Sequence, residues 1–89
     1  MRTIYKYPVR TVNAFTVPMP IGAQILAVQL QVGVPQMWAQ VDDEEALEDR
    51  HFVVRGTGHP FDGREGRYVG TYQSPTGAFV FHLFEGLVD

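Results

Sequence analysis

Cysteine is absent from the 89 residues, and serine occurs once, as Ser74. The first absence excludes a disulfide framework, a thiolate metal site and a cysteine nucleophile. The second leaves serine chemistry a single residue, placed before Pro75 in what reads as a turn. Positive charge is scarce as well. Seven Lys and Arg against ten Asp and Glu give a net charge of −3, so general affinity for nucleic-acid phosphates is not expected. No apolar run approaches the ~20 residues of a membrane-spanning helix. The N-terminal stretch also lacks an apolar signal core, which directs the expectation to the cytoplasm. What is present is an ordinary globular composition, 45% apolar and 19% charged. That suffices for one domain over residues 1–89 with one modest core.

Nine Gly and six Pro cut the chain into short pieces rich in Val, Phe, Tyr, Ile and Thr. Such pieces predict an all-β fold, a small antiparallel sandwich or partly open barrel of six to seven strands. Gln24–Val32 alternates, with Leu26, Val28, Leu30 and Val32 on one face and Ile25, Ala27, Gln29 and Gln31 on the other. Gly33-Val34-Pro35 reads as a break. Gln36–Val41 then alternates again, Met37, Ala39 and Val41 opposing Gln36, Trp38 and Gln40. The two strands predict a hairpin. Asp42–Asp49 holds six of the ten acidic residues and reads as a solvated connection with at most one helical turn.

Arg50–Arg55 predicts a strand, with Phe52 and Val54 on one face and His51, Val53 and Arg55 on the other. Gly56–Arg67 is the longest irregular stretch. Tyr68–Gln73 and Ala78–Glu85 predict a final hairpin turning at Ser74-Pro75-Thr76-Gly77. Thr3–Arg10 and Val12–Val17 are weaker strands, the first an edge because of Pro8. The last strand is apolar on both faces, Phe79, Phe81 and Leu83 against Val80, His82 and Phe84. It must be central, or its second face must be covered. A bare Val80, His82 and Phe84 face predicts a two-fold dimer, with the N-terminal strands as the other possible cover.

Three groups of residues could carry function. Arg55-Gly56-Thr57-Gly58-His59 is Gly-rich enough to turn backbone N–H groups toward one point. Arg64 or Arg67 could add forked donors for a phosphate, and Tyr68 or Trp38 could stack on a base. The same string also reads as a plain turn with positive φ at its glycines. The Gln29, Gln31, Gln36, Trp38 and Gln40 face offers uncharged hydrogen bonding around a large aromatic, which suits a partner protein. His51, His59 and His82 could meet to hold a metal, although no metal-ligand spacing supports this. No catalytic residue, metal ligand or cofactor is expected. Binding is assigned to Trp38, Gln40, Arg55, Thr57, Gly58, His59, Arg67 and Tyr68.

The pieces Met19-Pro20-Ile21-Gly22-Ala23, Pro35-Gln36-Met37-Trp38-Ala39, Gly56-Thr57-Gly58-His59-Pro60 and Phe79-Val80-Phe81-His82 resemble a family of small proteins of tailed bacteriophages and prophages. That family has no assigned activity, and the resemblance covers Tyr5 to Glu85. It implies an accessory protein in the host cytoplasm that binds and modulates a host defence or regulatory protein. A small nucleotide-type signal held at the loop is the alternative, and a His-based metal protein or enzyme is the third.

Overall fold

The computed structural model describes residues 1–87, which form seven β-strands. They are β1 (Arg2–Pro8), β2 (Ala14–Pro20), β3 (Gln24–Gln31), β4 (Val34–Asp42), β5 (Leu47–Gly56), β6 (Arg67–Gln73) and β7 (Val80–Glu85). Every pairing is antiparallel. One sheet has the order β1-β4-β3 and the other β2-β5-β7-β6. The fold is therefore an all-β sandwich whose sheets do not close into a barrel. Cα extents of 39 × 33 × 15 Å suit two layers, since stacked sheets lie about 10 Å apart.

The core lies between the sheets. Met37, Ala39 and Val41 of β4 and Ile25 and Val28 of β3 face Phe15 and Met19 of β2, Phe52 and Val54 of β5, Tyr72 of β6 and Leu83 of β7. Phe15 and Phe52 stack at 5.4 Å. Gly70 allows β6 to approach β3 closely, because a Cβ there would lie 2.8 Å from Val28 Cγ1. Arg50 ties the open end of the sandwich. It donates to the Ala23 carbonyl at 2.8 Å and to Glu85 Oε1 at 2.9 Å.

Both hairpins form as the alternation predicts, β1 and the proline-bearing β2 are edges, and β7 is central. Four local expectations are corrected. Leu26 is skipped between the pairs Ile25↔Ala39 and Ala27↔Trp38. This β-bulge changes the phase of the alternation. Ile25 and Val28 turn inward, while Leu26 and Val32 are exposed. Pro35 lies within β4 opposite Leu30, and its carbonyl accepts the Val9 N–H. Leu47, Glu48 and Asp49 belong to β5, paired with Pro20, Met19 and Pro18, so the acidic connection shrinks to residues 43–46 and forms a turn. Finally, β7 begins at Val80, leaving Phe79 exposed in the preceding turn.

The β3–β4 turn consists of Val32-Gly33 alone, between the paired Gln31 and Val34. Both residues have positive φ, 49° and 78°, as a tight hairpin turn with the twist of its strands requires. Val32 is 99% exposed, so its β-branched side chain gains no packing in return for that conformation. Val32→Asn should raise stability by about 1 kcal/mol in urea unfolding, because Asn tolerates the left-handed region.

Candidate functional site

Val53, Arg55 and Phe84 project from the outer face of the four-stranded sheet, away from the core, yet all are buried. Gly86 lies against Val53, and segment 57–66 folds back over Arg55 and Phe84. A buried guanidinium holds it there. Arg55 is 5% exposed and donates through Nε to Glu65 Oε2 at 2.9 Å. Its Nη2 pairs with Asp62 Oδ1 at 3.0 Å, and its Nη1 donates to the carbonyls of Asn13 and Val54. Glu65 is equally buried, and its carboxylate also accepts the N–H groups of Asp62 and Gly63, both at 2.9 Å. Gly66 closes the loop at φ 62° against the Glu85 carbonyl, where a Cβ would collide. Phe61 caps Phe84 edge to face at 5.3 Å.

Beside this cover is a hollow of about 360 Å³. Thr57, Gly58 and His59 border it from the loop, Phe61 from the cover, and Tyr68, His82 and Phe84 from the sheet. A second β-bulge shapes it. Val69 is skipped between the pairs Tyr68↔Phe84 and Gly70↔Leu83, which places Tyr68 and Thr71 on one face with His82. The imidazole is then bonded on both sides. Thr57 Oγ1 lies 2.8 Å from Nε2, and Tyr68 OH and Thr71 Oγ1 lie 3.0 and 3.2 Å from Nδ1. Tyr68 and Thr71 also bond to each other. The His59 ring packs over Gly56, where a Cβ would come within 2.9 Å of it.

Of the residues expected to bind, the hollow brings together Arg55, Thr57, Gly58, His59 and Tyr68. Trp38 and Gln40 lie elsewhere, on the outer face of the three-stranded sheet. There Lys6 is opposite Trp38, Gln36 pairs with Gln29, and Lys6 Nζ bonds Gln31. Arg67 stands beside Glu85 at 3.8 Å and does not join Arg55. The phosphate-nest expectation is corrected. The Thr57 N–H donates to Val80 O and the His59 N–H to Gly56 O, while Arg55 is engaged by its carboxylates and carbonyls. The face on which the interface expectation for Val80, His82 and Phe84 rests is not bare within one chain. Phe84 is covered by Phe61 and Tyr68 of the same chain, His82 is bonded by hydroxyls, and Val80 is half-buried. His51 is apart, 3.3 Å from Thr16 Oγ1. Among the described residues no three His, Cys, Asp or Glu are grouped to hold a metal. Phe61, Asp62, Glu65 and Thr71 are contributors that sequence reasoning missed. The available signal was Arg55 itself, since a charge ending the apolar run Phe52-Val53-Val54 needs a partner.

A family model described as a domain of unknown function, DUF7352, matches residues 1–88. The chain belongs to that family. No curated protein and no solved structure matches it. Among the described residues of this DUF7352 domain no helix is long and apolar enough to cross a membrane.

The clamp sets an acid sensitivity for the DUF7352 domain. Burial alone would raise the Glu65 carboxyl, but the N–H groups of Asp62 and Gly63 and the Arg55 guanidinium outweigh it and lower the pKa. Arg64, with help from Arg55, holds Asp62 well below the usual carboxylate range. Groups depressed in the folded state contribute fully above their unfolded values, near pH 4, and lose that contribution as pH falls through the folded ones. The melting temperature should therefore fall steeply below about pH 4. In Glu65→Gln that fall should be shallower and the melting temperature at neutral pH lower. An equally steep fall in the variant would remove Glu65 from the account.

Proposed function

We propose that this protein is a non-enzymatic binding module whose ligand is a partner protein, gripped at the hollow beside the Gly56–His59 loop. One observation carries the reading. Phe61 and Tyr68 are 65% and 50% exposed, yet both are fixed in place against the buried Phe84. Exposed aromatics on a rigid support, next to a space that can accept a side chain, have the character of interface anchors. The loop is irregular but held by buried charge, so little ordering entropy is lost on binding. The chemistry expected of an enzyme has little support here. Ser74 bonds within its turn, and Asp62 and Glu65 are committed to arginines.

The resemblance of the sequence to tailed-phage proteins supports, as the partner, a host defence or regulatory protein met in the host cytoplasm. A nucleotide-type signal is the second reading. The rings offer stacking faces for a base, but the donors expected for its phosphates are already engaged. A dimer is not needed to cover Phe84.

The test uses the immobilised protein, the double variant Phe61→Ala/Tyr68→Ala and the control Trp38→Ala. A protein retained from bacterial lysate is purified and titrated against all three by calorimetry. Binding should be lost by the double variant, by a factor of at least about ten, since aromatic anchors commonly carry 2 kcal/mol or more. It should be unchanged in Trp38→Ala. Full binding by the double variant would overturn the hollow as the working surface, and saturable binding of a nucleotide would favour the second reading.

A further inference from the structure

We propose that the group held in the hollow is an organic cation, a methylated ammonium head. The inference rests on the reading of the hollow as the binding surface and narrows what that surface holds. Phe61 and Tyr68 each meet Phe84 edge to face, at centroid separations of 5.3 and 5.2 Å and interplanar angles of 84° and 76°. Rings in steeply crossed planes thus border one space. An aromatic ring is negative on its faces and positive at its edge. Crossed rings around a space can therefore offer it negative faces from more than one direction, the means by which aromatic cages hold alkylated ammonium groups.

The arginine at the border of the hollow is already balanced. Arg55 borders it, but the guanidinium is buried and is offset by Glu65 and Asp62. The chain as a whole carries −3. An anion would find little to bind, because the hydroxyls of Thr57 and Tyr68 are tied to His82 and the loop N–H groups of Thr57 and His59 to carbonyls. A methylated head needs no hydrogen bond from its site. It is also a better fit to an apolar space than a bare ammonium, whose strong hydration must be stripped on entry. The volume, about 360 Å³, is at the lower end of ligand sites, roughly 300–1,000 Å³.

Choline separates charge from shape when it is compared with neohexyl alcohol, its uncharged carbon isostere. Both are titrated into labelled protein and followed by amide chemical shifts. Choline should bind roughly tenfold more tightly than the isostere, with shifts centred on Gly58, Phe61, Tyr68 and Phe84. Phe61→Leu and Tyr68→Leu should each weaken choline several-fold without lowering the melting temperature appreciably, and Trp38→Leu should not. A peptide carrying trimethyllysine identifies the source. Tighter binding than both choline and the unmethylated peptide places the head on a partner protein, whereas binding no tighter than choline places it on a free small molecule. Equal binding of choline and its isostere, or binding of neither, overturns the proposal. If a captured protein still depends on Phe61 and Tyr68 in that case, the binding-module reading stands and only the cation is lost.

Discussion

A buried ion pair, Arg55 with Glu65, organises one side of this molecule. Arg55 leaves the outer face of β5 where solvent would otherwise be, and a guanidinium 5% exposed requires paired carboxylates and carbonyls. Glu65 and Asp62 supply the carboxylates from a segment that has no strand partner of its own. The ion pair therefore does what ladder bonds do elsewhere: it fixes a length of chain to the sheet. Phe61 is brought onto Phe84 through that attachment. The hollow is the part of the sheet face that the attached segment leaves uncovered.

The main core depends less on such special contacts. It is built from alternating apolar residues of two twisted sheets, with Gly70 letting β6 and β3 approach and Arg50 bridging the open end. The two bulges have separate consequences. The one at Leu26 corrects the core, turning Ile25 and Val28 inward together. The one at Val69 shapes the surface, since it sets Tyr68 and Thr71 on the face that carries His82.

The all-β antiparallel class, both hairpins and the edge position of β1 were legible in alternation and turn residues, which are local, whereas sandwich against open barrel, and a central against a covered β7, were left open by them. The bulges were not legible either. Skipping Leu26 or Val69 depends on the partner strand, and Gln24–Val32 reads as an uninterrupted alternation on its own. Pro35 misled for a related reason, because a proline's local tendency to break a strand is overridden where its neighbours supply the pairing. For the site, the string from Arg55 to His59 reads both as a nest and as a plain turn, and the His59 N–H bonded to the Gly56 carbonyl is that of a turn. Its glycines and threonine suggested free N–H donors, but the Thr57 N–H is taken by the Val80 carbonyl across the sheet and the His59 N–H by the Gly56 carbonyl within the turn. The role of Glu65 was invisible, as it lies in Gly56–Arg67, which reads only as an irregular stretch.

The central claim is that the Arg55–Glu65 pair holds segment 57–66 on the sheet while the sandwich stands without it. Native-state hydrogen exchange tests this directly on the amides of Asp62 and Gly63, whose N–H groups the Glu65 carboxylate accepts. In the unmodified protein both should exchange at least about tenfold more slowly than free amides. In Glu65→Ala they should exchange freely while the amides of β4 and β5 stay protected. Free exchange at Asp62 and Gly63 before any substitution, or collapse of β4 and β5 protection along with the loop, would contradict it.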